Sequence, residues 1–158
     1  MTPIVPDTDI LPLLDPHVVV VVDDDPEALS AVRRALRAEP CVLLTTEHPG
    51  QALEWVGRRE VSLLLCDYRM PEMSGAETLV EARRRSPETT RVFLTAYPEQ
   101  VPLPDEVVRC VIHKPWDVPT LRKVVRQLLR ERELVRRRRE APPPIGDWDL
   151  DGGDRWTE

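Results

Sequence analysis

Leu63-Leu64-Leu65-Cys66-Asp67-Tyr68-Arg69-Met70-Pro71 is the stretch on which the fold turns. A run of apolar residues ends on one aspartate, and a proline-bearing turn follows at once. Unbroken apolar character over so few residues marks a strand buried on both faces, where alternation is lost because neither face meets water. Asp67 then stands at the carboxyl end of a central strand, the edge of an open α/β sheet at which ligands bind. A second run, His17 through Val22, ends in the same way on Asp23-Asp24-Asp25-Pro26. If the two strands are parallel neighbours, three or four carboxylates converge at one sheet edge. Like charges at close range repel, so one must take a proton or find a cation. A divalent metal is the simplest resolution.

The rest of the chain supplies strands and helices in alternation. Asp25 suits an N-cap with Pro26 at the first helical position. Leu29, Val32 and Leu36 recur at helical spacing, so residues 26–38 read as an amphipathic helix. A short strand follows at 41–45. Residues 49–59 form a helix with Ala52, Leu53 and Val56 inward, and the central strand covers 61–67. Ser74 and Glu77 have capping-box spacing and start a helix that runs to about Arg85, where Ser86-Pro87 ends it. Strands at 91–95 and 108–113 follow. Asp117 caps a last helix whose Leu121, Val124, Val125, Leu128 and Leu129 make one stripe. Strand–helix alternation predicts a parallel sheet with right-handed crossovers.

The ends differ from this middle. Residues 1–16 carry four prolines and no periodicity, a lead-in to the domain at 17–130. Residues 131–141 continue the last helix as a basic extension expected to project into solvent, with Glu133 and Arg137 spaced to pair at i,i+4. Pro142-Pro143-Pro144 stops the helix, and 142–158 read as an acidic, disordered tail.

Composition narrows the function classes. The 158 residues suit one domain, and with aromatics at 4% the core must be Val, Leu and Ala. The net charge of -6 argues against a nucleic-acid binder. Nine basic and three acidic residues between 122 and 140 make a local +6. Arg136 to Arg139 is read there as a solvated helix end beside an acidic tail rather than a nucleic-acid patch. Cys41, Cys66 and Cys110 lie in apolar surroundings and are odd in number, so they read as small buried hydrophobes of a reducing compartment. No stretch is long enough to cross a membrane, and the N-terminus lacks a basic n-region. A cytoplasmic protein is the expectation.

Four signatures now come in a fixed order at strand ends. They are the acid run Asp23-Asp24, Asp67 ahead of Met70-Pro71 and Ser74-Gly75, Thr95 after Val92-Phe93-Leu94, and Lys114-Pro115. Together they resemble the receiver domain of two-component response regulators over residues 18–129. The variant Lys114-Pro115-Trp116-Asp117 is similar to receivers of some regulators in hydrogenase and cyclic-dinucleotide signalling. The resemblance implies a flavodoxin-like doubly wound five-stranded sheet in the order 2-1-3-4-5. It implies that Asp67 is the phosphoryl acceptor, and that Asp23, Asp24, Asp67 and the backbone carbonyl of Arg69 hold Mg2+. Thr95 and Lys114 would contact the phosphoryl group, and Arg69 and Tyr97 would tune its lifetime. The implied donor is a histidine kinase or phosphotransfer protein, and an unknown downstream protein reads the result. The residues after the last helix are too few for an output domain, so a stand-alone receiver is expected, and a homodimer stays open.

Two departures from the family pattern stand out. Pro98, Pro102 and Pro104 crowd a shortened segment between Thr95 and Lys114, and an interior proline costs a helix about 3 kcal/mol. The fourth helix of the family is therefore expected to be short or missing. Val111 stands where the family has its switch aromatic, three residues before the lysine.

Competing readings weigh less. A haloacid-dehalogenase-like phosphatase would use Asp23 and Asp25 as its Asp-x-Asp, but Glu27 does not fit and Asp67 would have no role. A docking module that keeps the fold without phosphate control would be indifferent to Asp67→Ala. In the tail, Asp147, Asp149, Asp151, Gly152 and Glu158 satisfy the EF-hand loop pattern. Prolines before it and the end of the given sequence after it leave no helices to frame such a loop, so no calcium site is expected.

Overall fold

The computed structural model describes residues 16–101 and 106–141. The expectations for the lead-in before Pro16 and for the 142–158 tail, with its EF-hand-like pattern, lie outside the described residues. In chain order the elements are β1 (His17–Val22), α1 (Pro26–Leu36), β2 (Cys41–Thr46), α2 (Pro49–Arg58) and β3 (Leu63–Asp67). There follow α3 (Gly75–Arg85), β4 (Thr90–Thr95), a 3-10 turn (Pro98–Gln100), β5 (Cys110–His113) and α4 (Val118–Glu140). The five strands form one parallel sheet in the order β2-β1-β3-β4-β5, the doubly wound order expected.

Strand pleating sorts the continuous apolar runs onto two faces. Val19, Val21, Leu63, Leu65, Val92 and Leu94 point to one side and pack on α1 and α4 through Leu29, Val32, Leu121 and Val125. Val20, Val22, Leu64, Cys66 and Phe93 point to the other and pack on α2 and α3 through Leu53, Val56, Leu79 and Ala82. Each Val or Leu taken fully out of water contributes about 1.5–3 kcal/mol, so β1, β3 and β4 are held from both sides.

The helices start where the capping residues stand. The Asp25 carboxylate accepts the Glu27 N–H at 2.9 Å, Ser74 Oγ accepts the Glu77 N–H at 3.1 Å, and Asp117 accepts the Thr120 N–H at 3.1 Å. Each cap satisfies one of the donors that a helix start leaves without a partner. All three lie just past a strand's carboxyl end or its following turn, so they also fix the loops that bear the site.

Between β4 and β5 the described residues hold only the 3-10 turn, in line with the proline content. Arg91 closes the gap. Its buried guanidinium donates to the carbonyls of Val107 (2.6 Å), Thr89 (2.8 Å), Glu106 (3.1 Å) and Pro87 (3.3 Å). Val101, Val107 and Val108 meanwhile pack on the α2–α3 side of the core.

The end of α4 does not project as expected. His17 Nε2 lies 3.0 Å from Glu133, Arg136 pairs with Glu60 at 3.2 Å, and Arg139 pairs with Glu88. The expected Glu133–Arg137 pair forms as well, at 3.2 Å. Acidic groups on the α2–β3 and α3–β4 connections thus draw the basic helix along the amino-terminal edge of the sheet. His17 is buried, with Ser62 Oγ at 2.6 Å from its Nδ1. Burial and the charge of Arg136 pull its pKa down despite Glu133.

Candidate functional site

Register builds the site. Val22 pairs with Cys66, so the next residues, Asp23 and Asp67, leave adjacent strands side by side. Asp67 pairs with Leu94 and Thr95 with His113, which sets Thr95 and Lys114 at the same edge. Four residues far apart in sequence therefore meet because four parallel strands end within one residue of each other.

Lys114 is the hub. Its Nζ donates to Asp23 Oδ2 at 2.5 Å and to Asp67 Oδ1 at 3.2 Å. Asp23 is 1% exposed, and its other oxygen accepts the Asp25 N–H at 2.9 Å. Asp67 Oδ1 also accepts the Tyr68 N–H at 3.0 Å. Asp24 is exposed, yet one oxygen from each of Asp23, Asp24 and Asp67 can lie within 4.8 Å of the other two. Asp25 stays outside this group as a helix cap. Three carboxylate oxygens form a hard donor set suited to a small divalent cation. The pairing of Asp23 with Asp67 rather than Asp25 removes the geometric basis for the phosphatase reading.

The electrostatics follow from this crowding. Burial, then the negative charge of Asp23, pushes the Asp67 carboxyl up from 3.8 to about 6, and Lys114 opposes the rise. Burial alone would lower the Lys114 pKa, but its hydrogen bond to Asp23 and the charges of both aspartates raise it. At neutral pH Asp67 is thus ionised and Lys114 charged. The single Lys114 ammonium offsets only one of the two carboxylate charges, so its removal would leave Asp23 and Asp67 facing each other unpaired.

The surrounding residues frame the mouth. Thr95 is buried, its Oγ1 accepts the Tyr97 N–H at 3.0 Å, and its carbonyl accepts the Lys114 N–H at 2.8 Å. The Arg69 guanidinium stacks on the Tyr97 ring, 4.4 Å from its centroid, and donates to Gln100 Oε1. Val111 is 37% exposed on β5.

Sequence reasoning gave no role in the site to two contributors. Gly75 is one: a Cβ there would lie 2.1 Å from the carbonyl oxygen of Asp67, 2.8 Å from Tyr68 Cα and 2.9 Å from Phe93. Its φ is not positive, so close approach and not backbone handedness demands glycine. The Gly75 N–H donates to the Tyr68 carbonyl at 2.9 Å, which curls the β3–α3 loop back beneath Asp67. A glycine at the first position of a helix was the available signal. Gln100, the other, gave none.

Comparison with known proteins agrees with this geometry. The response regulator receiver domain family matches residues 19–126. The hydrogenase transcriptional regulatory protein HoxA of Cupriavidus necator is 36% identical over 120 residues, covering 73% of this chain and 25% of HoxA. The transcriptional regulatory protein GlrR of Escherichia coli is 29% identical over 119 residues, 73% of this chain and 27% of GlrR. The chain thus spans about a quarter of the length of these relatives. Among solved structures, the receiver domain of an HD domain-containing protein from Pseudomonas fluorescens superposes with a TM-score of 0.65 at 25% identity, over 75% of this chain and 98% of that one. The response regulator TrrA of Thermotoga maritima, in complex with Mg2+ and BeF, gives a TM-score of 0.65 at 26% identity, over 71% of this chain and 98% of that one. With the family spanning more than half of the chain and the acidic cluster at its expected sheet edge, this protein belongs to the response regulator receiver domains.

Proposed function

We propose that this receiver is a phosphorylation-dependent switch in a two-component relay, with Asp67 as acceptor. The observation that carries the reading is the Lys114 ammonium bridging Asp23 and Asp67 at the carboxyl edge of the sheet. An ionised Asp67 oxygen attacks the phosphorus of a phosphohistidine on a histidine kinase or phosphotransfer protein. A P–O bond forms as the P–N bond breaks, and the imidazole leaves with the electron pair and takes up a proton. Asp23, Asp24, Asp67 and the Arg69 carbonyl would hold Mg2+, which when bound offsets repulsion between these carboxylates and the phosphoryl oxygens. The likeness to TrrA, solved with Mg2+ and BeF, supports this choice of metal. Lys114 balances the added negative charge, and the Thr95 hydroxyl donates to a phosphoryl oxygen. The bulk of Arg69 and of Tyr97, on the two loops that flank the mouth, hinders the attacking water, so self-dephosphorylation is slow. A downstream protein reads the change through the ratio of its affinities for the two states.

The test is intact mass after incubation with acetyl phosphate, with and without Mg2+, beside Asp67→Ala. A Mg2+-dependent adduct absent from the variant is expected. A folded, Mg2+-binding protein that takes no adduct would replace the switch with a phosphate-indifferent docking module. As to location, no helix among the described residues is long and apolar enough to cross a membrane.

A further inference from the structure

The Arg69 contact carries more than a role in lifetime. Arg69 lies two residues after Asp67 on the β3–α3 loop, whereas Tyr97 and Gln100 belong to the β4–β5 connection. The guanidinium meets the Tyr97 ring on its face and Gln100 at its side-chain oxygen, and so clips the two loops together across the mouth of the site. Tyr97 in turn donates its N–H to Thr95 Oγ1, and the 3-10 turn that follows closes through Gln100 N–H to Tyr97 carbonyl at 3.0 Å. Tyr97 is 43% exposed and Gln100 is exposed, so Arg69 ties down the solvent side of this turn, while Val101 behind it packs on the core. The Pro98-bearing turn is also the only helical element among the described residues of that connection.

We propose that Arg69 is a charge-operated latch, a reading that rests on phosphorylation of Asp67: the phosphoryl group draws the Arg69 guanidinium off Tyr97 and Gln100 and frees the Pro98–Gln100 turn. The physical reason is a competition between partners. In the unmodified protein Arg69 has an aromatic face and a neutral carbonyl oxygen, both near solvent. An aspartyl phosphate carries nearly two negative charges where the carboxylate carried one, and it presents three acceptor oxygens close to the loop that bears Arg69. Charge-assisted bonds to such oxygens are roughly twice as strong as neutral ones, and the guanidinium fork matches them in geometry. The same group also pulls the Thr95 hydroxyl, which now accepts from the Tyr97 N–H, so both ties on Tyr97 loosen together. With Val111 on β5 there is no aromatic side chain at that position to rotate, and the freed turn is the surface that changes.

The experiment follows hydrogen exchange of the Gln100 and Val101 amides and the Arg69–Tyr97 ring contacts by NMR, with intact mass measured on the same samples. Wild type is compared with Arg69→Gln, before and after acetyl phosphate with Mg2+. In wild type carrying the adduct, the ring contacts should vanish and the two amides should exchange about tenfold faster, equivalent to ~1.4 kcal/mol. Arg69→Gln should exchange fast without any adduct and change little on phosphorylation. A mass adduct with the ring contacts intact and exchange unchanged would overturn the latch while leaving the phosphorylation reading standing. No adduct in either protein would overturn that reading and the latch with it.

Discussion

Asp67→Asn tests the electrostatic argument at its root, because it should make the metal-free protein more stable. Burial and Asp23 raise the Asp67 carboxyl from 3.8 to about 6, net of the help from Lys114. The side chain is only 14% exposed, so solvent screens little of this. Between about pH 4 and pH 6 the folded chain holds the Asp67 proton while the unfolded chain has released it. The folded state therefore binds more protons, and stability falls as pH rises through that window. Above pH 6 the loss is complete. A shift of about two pH units at 1.36 kcal/mol each is ~3 kcal/mol, a large share of a typical 5–15 kcal/mol total. Asparagine keeps the shape and cannot ionise, so the variant escapes the loss. Urea denaturation with EDTA should find Asp67→Asn more stable by ~3 kcal/mol at pH 7.5, a midpoint shift of about 1–3 M. The difference should vanish below pH 4. Mg2+ should stabilise wild type more than the variant, since only wild type presents the third charged oxygen. Equal stabilities at pH 7.5, or a difference that does not change with pH, would refute the reasoning.

Gly75→Ala places a methyl 2.1 Å from the Asp67 carbonyl, so backbone must move; destabilisation of at least about 3 kcal/mol is expected by denaturant titration, with slower labelling by acetyl phosphate. Arg91→Ala leaves four carbonyls without their donor, and a loss of about 3 kcal/mol should show as a lower thermal midpoint. Lys114→Met removes the cation that lowers the Asp67 pKa, so the Asp67 carboxyl should titrate above 6 by carbon-13 NMR in metal-free buffer. Tyr97→Ala opens the mouth, and the phosphoryl lifetime measured by intact mass over time should shorten; an unchanged lifetime would remove Tyr97 from the site.

Much of this was legible because the fold writes itself in short-range signals. The apolar runs ending on Asp23 and Asp67 identified buried parallel strands, and Asp25, Ser74 and Asp117 announced three helix starts that the structure bears out. Prolines foretold the absence of an α-helix among the described residues between β4 and β5. The lead-in and tail boundaries were read from composition and remain expectations.

What the sequence by itself determined is the element order and the chemistry at each strand end, since burial on two faces and helix capping depend on neighbours a few residues away. What only the tertiary structure decided is who meets whom. Lys114 reaches Asp23 across 91 residues, Gly75 admits the Asp67 carbonyl, Arg91 replaces a helix with hydrogen bonds to four carbonyls, and Arg69 finds Tyr97 and Gln100. The end of α4 is likewise tied back to the domain by ion pairs and not left free, because Glu60 and Glu88 sit on loops whose position no local pattern encodes. Contacts of this kind depend on sheet register and strand order, which are set by packing of the whole chain.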